Sequence, residues 1–471
     1  MGKSKTPSFT IELSLITNSE QRHILNSRFE AGRQIYNACL GKALKRGNQM
    51  LQSKIYRSAL AMPHKTKEEA EARSEIFKSA RKKYGFTEYS LHDYAKKIRS
   101  SWIGNHVDSL TAQKVATRAF KAANKTITGN AKKVRFKRYG ELESLEGKNN
   151  NSGIRWKDNK IVWNNLELNA MVNVNDPVIA HGLSCPVKYV RIVKKIIRGK
   201  VRFYIQLICK GKPYQKEKNK VIKGKIGLDT GPSIIAEVSN TEAHLNLFCR
   251  ELDNTQKEIR VLQRKMDRQR RANNPQNYNP NGTCKKGRKK WKNSKEYIKT
   301  RLKLFELFRR QSAHRKSLHG KMINDILRRG NEIYIEKTSY KAWQKIFGKS
   351  VNYRAPGMFI SGLKRKTEAA EGSLSEFPTN STALSQMCQC GRKEKKKLSD
   401  RRHKCKCGVS AQRDLYSAFL ARHVKKNDDS KYYLNTDSAT KEWPSIKPLI
   451  NAAIQETLKK YWYKPSSSFG L

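Results

Sequence analysis

The chain is 471 residues long and carries 99 Lys+Arg against 40 Asp+Glu, a formal charge of +59. With 37% hydrophobic and 9% aromatic residues it can bury real cores, which excludes wholesale disorder, and its length predicts several domains. No apolar run approaches the roughly 20 residues that span a bilayer and no signal-peptide pattern opens the chain, so an integral membrane protein is excluded.

So large a charge of one sign repels itself and predicts a polyanionic partner, a long nucleic acid rather than a membrane surface. Nine cysteines, an odd number, argue against an oxidised secreted framework and point to a reduced cytoplasm. Cys39, Cys185, Cys209, Cys249 and Cys284 stand alone; the other four cluster.

Phe9, Ile11, Leu13 and Leu15 alternate with polar residues and predict a half-buried strand. Thr17-Asn18-Ser19 supplies cap oxygens for a helix with the stripe Leu25, Phe29, Gly32, Tyr36, Cys39, Ala43. Helical stretches follow over 50–61, 67–83, 91–101 and 109–127, rich in exposed cations and amides. From Gly129 the pattern changes to Lys132–Tyr139, mixing cations with aromatics, and short strands near Trp156 and Ile161–Trp163. A hairpin over 187–197 and 201–209 turns at Arg198-Gly199-Lys200. The segments 1–16 and 130–220 are expected to form one OB-like β-barrel, interrupted by an α-helical domain over 17–129; 210–223 is a basic linker.

From Gly224 the pattern is α/β. Lys225–Asp229 and Ile234–Val238 read as strands, and basic helices over 251–272 and 294–329 flank a loop holding Lys285, Lys286, Arg288, Lys289 and Lys290 beside Trp291. Residues 255–330 carry roughly two dozen cations against a handful of acids, which favours phosphate contact over a solvated face. Asn331–Glu336 is another short apolar strand. The chain closes on a helix over 446–461 and a Ser-rich terminus.

Three acids stand out. Asp229 and Glu336 each close an apolar strand, and Asp414 precedes the apolar Leu415–Ala421, a helix it could begin. Carboxylates at two strand ends and a helix start can converge on one rim of a sheet, where hard oxygen ligands suit Mg²⁺. Two ions there activate water and steady the leaving oxygen of a phosphodiester. Singly, each acid is equally a helix cap or an ordinary strand end.

Cys388-Gln389-Cys390-Gly391 and Cys405-Lys406-Cys407-Gly408 flank a stretch rich in Lys and Arg. Two thiolate pairs suit a structural, tetrahedral Zn²⁺ that leaves no open position, and the metal would stand in for a core in a segment this polar. Both pairs are C-x-C rather than C-x-x-C, so the chelate loops are short; His403 is an alternative ligand, and four free thiols the plain alternative.

Gly227-Leu228-Asp229-Thr230-Gly231, Ile333-Tyr334-Ile335-Glu336, the cysteine-rich insert with Leu384-Ser385-Gln386 before it, and Arg413-Asp414-Leu415-Tyr416-Ser417-Ala418 together resemble the split RuvC-like nuclease of TnpB proteins, RNA-guided nucleases of insertion sequences related to compact type V CRISPR effectors. The resemblance covers 224–421; before that it rests only on the helical-then-β layout. It implies a multidomain α+β protein with an RNase H-like nuclease domain (221–385 and 411–471), a zinc-ribbon-like, target nucleic-acid-binding insert (386–410), a wedge and a recognition domain. It further implies Asp229, Glu336 and Asp414 as catalytic, Mg²⁺-binding acids, and a guide RNA and a motif-flanked DNA duplex as partners; the sequence leaves monomer and dimer open, the monomer being slightly favoured. In such systems base pairing reads sequence while protein reads duplex shape.

Residues with chemistry suited to nucleic acid are Arg33, Tyr36, Asn37, Gln113, Arg135, Lys137, Trp156 and Trp163, each equally a core or packing residue. Two other functions fit the same charge: a guide-directed DNA-binding protein that does not cut, and a DDE-type transposase that needs no RNA.

Overall fold

The computed structural model describes residues 7–252, 255–397, 400–428 and 431–461; the Ser-rich terminus lies outside them. The chain divides into two compact units, one ending at Tyr214 and the next beginning at Gln215.

The first unit opens with β1 (Ser8–Leu15), which buries Ile11, Leu13 and Leu15 on one face, as the alternation requires. Asn18 caps α1 (Ser19–Gln52) in a reciprocal box with Gln21. Then come α2 (Lys54–Ala61), α3 (Lys67–Lys83), α4 (Glu88–Arg99) and α5 (Ser109–Ile127). Short strands β2 (Ser144–Glu146), β3 (Arg155–Lys157), β4 (Lys160–Trp163) and β5 (Leu166–Met171) precede α6 (Pro177–Ser184) and the hairpin of β6 (Val187–Ile197) and β7 (Lys200–Lys210). Arg198 and Gly199 both take positive φ, +50° and +76°, the turn whose twist matches paired strands.

These strands form one seven-stranded sheet in the order β2-β6-β7-β1-β5-β4-β3. Among the described residues no ladder joins β2 to β3, so the expected barrel keeps two edges. One hydrophobic cluster spans sheet and helices: Leu25, Phe29 and Ile35 of α1 and Val115 of α5 belong with Ile205 and Leu207 of β7. Phe29 and Phe203 meet at a ring separation of 5.9 Å.

The second unit is built on β8 (Lys225–Thr230), β9 (Ile234–Val238) and β10 (Ala243–Leu247), then α7 (Gln256–Asn273), α8 (Lys295–Leu327) and β11 (Glu332–Lys337). Next are α9 (Tyr340–Arg354), α10 (Pro356–Ala369), β12 (Ser373–Pro378) and the single turn α11 (Thr379–Thr382). The chain finishes with the ribbon β13 (Arg402–Lys404) and β14 (Ser410–Gln412), α12 (Arg413–Ala421), the ribbon β15 (Val424–Lys426) and β16 (Tyr432–Leu434), and α13 (Thr436–Lys460). No helix among the described residues is long and apolar enough to cross a membrane.

The main sheet runs β10-β9-β8-β11-β12, with β8, β11 and β12 parallel and β8, β9 and β10 antiparallel. Both faces are covered, which explains why β8 and β9 read as near-continuous apolar runs. Ile226, Leu228, Ile333 and Ile335 face α8 and α10. The other face takes Ala236, Val238 and Tyr334 against α12 and α13.

The expected last helix, 446–461, proves to start ten residues earlier, at Thr436. Pro444 and Pro448 lie inside it, where local rules would end a helix. Burial of Ala439, Trp443, Ile446 and Ile450 in the core holds those turns instead.

Candidate functional site

Register fixes two of the three acids. Tyr334 pairs with Gly227 and Ile335 with Leu228 across the parallel β11–β8 ladder. Two residues on from the first pair, Glu336 and Asp229 therefore leave the same face at the carboxyl ends of adjacent strands. The third arrives on α12: a Cβ on Gly227 would lie 1.8 Å from the Ala418 carbonyl oxygen, so helix and strand touch backbone to backbone there. Asp414 sits one turn before Ala418, as Asp229 sits two residues after Gly227, so both move along the same face toward the same rim.

Asp229 keeps some surface in a cleft of about 210 Å³ that it lines with Glu336, Thr230, Thr338, Ser339, Trp343 and others. Its carboxyl is pushed well above the usual range, by burial first and then by the negative fields of Asp414 and Glu336, with Arg413 and Arg401 opposing. Glu336 is also raised by burial, against hydrogen bonds to its Oε1 from the Thr382 hydroxyl (3.1 Å) and the Leu384 N–H (3.0 Å).

Asp414 is not the helix cap. That position belongs to Gln412, whose Oε1 accepts from the Leu415 N–H at 2.7 Å. Asp414 instead meets Arg401 Nη1 at 3.5 Å and Arg413 Nε at 3.4 Å, long contacts on a nearly buried carboxylate. Thus the three acids share one electrostatic neighbourhood. At Asp229 like charge opposes ionisation, and a divalent cation would neutralise that field, although the three carboxylates are less closely gathered than the thiols of the insert.

The cysteines are more tightly gathered. All four Sγ atoms of Cys388, Cys390, Cys405 and Cys407 lie within 4.8 Å of one another, the only such group of three or more ligands among the described residues. Cys388 and Cys407 are 3.5 Å apart and Cys390 and Cys405 3.7 Å. A tetrahedral zinc with bonds of ~2.3 Å needs sulfur edges of about 3.8 Å, so the thiols fit the ion.

The two short C-x-C pairs share one backbone pattern. The first Cys N–H donates to the carbonyl four residues on (Arg392 or Val409, both 2.9 Å), and the Gly N–H donates back to that Cys carbonyl. Gly391 and Gly408 hold φ of +81° and +90°, which an L side chain resists. Burial pushes the Cys388 thiol up to about 12, whereas the Cys407 N–H lowers Cys405 to about 7. His403 stays outside the cluster: its Nδ1 meets Lys396 Nζ at 2.5 Å and its ring packs, tilted, against Tyr416.

The sequence-selected contact residues divide. Trp163 is fully buried, with Nε1 donating to Asp108 Oδ2 at 2.9 Å and the Arg28 guanidinium 4.4 Å from its ring, so it is a core residue and presents no face to a base. Arg33 pairs with Glu30 and donates to the Lys137 carbonyl, and Asn37 exchanges two hydrogen bonds with the Lys137 backbone. Tyr36 is buried beneath Lys137; together these α1 residues fasten the 137 segment. Gln113 accepts from Lys148, the Trp156 backbone is held by the Asn150 amide, and Arg135 is exposed.

The basic loop between α7 and α8 is pinned from within. Asn274 bonds the Lys292 backbone twice and Asn277 donates to the Lys290 carbonyl. Arg270 stacks 3.9 Å from the Trp291 ring, which leaves Lys285, Lys286, Arg288 and Lys290 exposed and Lys289 half-buried.

Thr382, Arg401 and Tyr416 have no signal in spacing or periodicity that marks them as site residues; only folding brings them to the acids and thiols. No family model and no curated protein matches the sequence. The chain is similar to solved structures of a Cas12f1–sgRNA–target DNA complex (12% identity, TM-score 0.47, 90% of this chain and 100% of that one) and a CRISPR-Cas12f ternary complex (11%, 0.26, 90% and 99%).

Proposed function

We propose that the protein is an RNA-guided, Mg²⁺-dependent DNA endonuclease with one RuvC-like, RNase H-like site. The observation that carries the reading is the meeting of Asp229, Glu336 and Asp414 in one field, although more than a hundred residues separate Asp229 from Glu336 in the chain. The strand order, three antiparallel strands followed by two parallel ones, supports it. So does the formal charge of +59, which a guide RNA and its heteroduplex would neutralise better than a short DNA site.

In this reading Asp229, Glu336 and Asp414 hold the divalent ions, which supply an activated water and charge stabilisation at the phosphate. Thr382 and the Leu384 N–H orient the Glu336 carboxylate by occupying one of its oxygens. Thr230 and Trp343 line the cleft beside them. The thiolate quartet holds a structural zinc in the insert that grips target nucleic acid, and the first unit supplies the wedge and recognition surfaces for guide RNA and the short DNA motif.

The test is Asp229→Ala in the complex assembled with its copurifying RNA. Cleavage of a matched, motif-flanked duplex is expected to fall below detection while RNA retention stays at the wild-type level. Cleavage at the wild-type rate overturns the assignment. Strand transfer by RNA-free protein would point to a transposase instead.

A further inference from the structure

The acid site and the thiol site are joined by one side chain that neither reading uses. Tyr416 lies two residues past Asp414 on the first turn of α12, 1% exposed. Its hydroxyl accepts from the Gln389 N–H at 3.0 Å and lies 3.4 Å from Cys388 Sγ and 3.3 Å from Gln389 Oε1. The ring cannot swing freely: His403 packs against it at a ring separation of 4.4 Å, tilted by 34°, and Trp443 meets it edge-on at 5.1 Å. A second tie runs through Arg413, whose guanidinium donates to the Asp400 carbonyl at 2.6 Å and whose N–H donates to the Arg401 carbonyl at 2.8 Å.

We propose that Tyr416 is a positioning residue through which metal in the four-thiolate site sets the place of Asp414, and hence divalent-ion binding at the acids. The inference rests on the reading that Asp414 holds such an ion. The hydroxyl has one proton to give and two acceptors within reach, Gln389 Oε1 and Cys388 Sγ. A thiol sulfur is a weak acceptor, but a metal-bound thiolate is charged and draws the proton to itself. Loading releases the thiol protons to solvent, turns the Tyr416 O–H toward sulfur, and fixes the ring in its slot. Because that slot is walled by His403 and Trp443, the constraint passes to the α12 backbone rather than being lost in ring rotation. Asp414, on the same turn, is held with it. An outer hydrogen bond of this kind is the usual device that orients a metal ligand, and its loss typically costs about 10-fold to 100-fold in metal affinity.

The experiment uses the full chain with cobalt(II) in place of zinc, wild type against Tyr416→Phe, which keeps the ring and removes only the hydroxyl. Loss of the hydrogen bond raises the energy of the sulfur lone pairs, so the thiolate-to-cobalt charge-transfer band is expected to move to longer wavelength. Zinc release to a chromogenic chelator is expected to be about tenfold faster. Mn²⁺ binding at the acids is read by the thermal midpoint. Its half-saturating concentration is expected to rise in Tyr416→Phe and equally in zinc-stripped wild type, while stripping the variant adds nothing further.

An unmoved cobalt band overturns the Tyr416–thiolate link. A Mn²⁺ half-saturation that ignores zinc overturns the coupling, and this comparison needs only the wild-type chain should the variant not fold. If Asp229→Ala responds to Mn²⁺ as wild type does, the reading of the acids fails and takes the coupling with it, but the cobalt and chelator results still judge the contact to Cys388.

Discussion

Gly227 and Ala418 touch backbone to backbone: a methyl group on residue 227 would sit 1.8 Å from the Ala418 carbonyl oxygen. This contact sets how far α12 stands from β8, and Asp414 and Asp229 hang from either side of it. Gly227→Ala must push the helix away or unseat it. A destabilisation of about 3 kcal/mol, at the upper end of overpacking costs, is expected. Urea unfolding measures it, and the variant is expected to lose cleavage even at temperatures where it stays folded.

The raised carboxyls of Asp229 and Glu336 fix a pH dependence. Their folded values lie above the unfolded ones, so the folded state binds more protons in the interval between. Stability of the metal-free protein is therefore expected to fall as pH rises out of the ordinary carboxylate range toward the raised values. Asp229→Asn removes the main contributor and should flatten the slope and raise the melting temperature near neutral pH, with cleavage lost. Scanning calorimetry at several pH values on both proteins checks this.

Mg²⁺ must compete with protons for those same carboxylates. Its stabilising effect is expected to grow with pH across that interval, following RT ln(1 + [L]/Kd) with a Kd that falls as the acids ionise. Titrating Mg²⁺ at a low and a high pH and finding equal shifts in melting temperature would contradict the placement of the ion at the acids.

The exposed cations of the pinned α7–α8 loop present charge without supporting the fold. Replacing Lys285, Lys286, Arg288 and Lys290 with Ala is expected to leave stability within about 0.5 kcal/mol. RNA affinity should weaken, and the slope of log K against log salt should drop by about 0.7 for each single-strand phosphate contact removed. An unchanged slope would show that this loop meets no phosphate.

Much of the architecture can be read from local pattern. The alternation of β1, the edges of α3 and α5 and the Arg198-Gly199 turn fall where periodicity and turn chemistry put them, because each is decided by residues a few positions apart. Elements decided by distant partners escape such reading. Strand β12 (Ser373–Pro378) is an edge strand with a mixed polar face and a terminal Pro, so only its ladder with β11 identifies it. Helix α9 buries only Val351 and has no clean apolar stripe, and the first turns of α13 run through two prolines because tertiary burial outweighs the lost backbone bonds.

The site divides in the same way. The acids can be picked out from the sequence only jointly, as two strand-end carboxylates and one at a helix start in a chain built for polyanions. Their rim cannot, since it depends on the β8–β11 register and on a missing side chain at Gly227. Trp163 shows the converse: an aromatic among cations suggests base stacking or core packing alike, and the fold buries it, with Asp108 accepting from its indole N–H and Arg28 over its ring.

The shared interior of the first unit, where Phe29 of α1 rests on Phe203 of β7, bears on how this half of the molecule can be re-engineered. Excising the helices by cutting near 17 and 129 would bare the apolar underside of both pieces at once, so neither fragment is a portable module. Swaps between homologous chains should carry the helices and the sheet across as one cassette, with crossover points in the polar segment near 214.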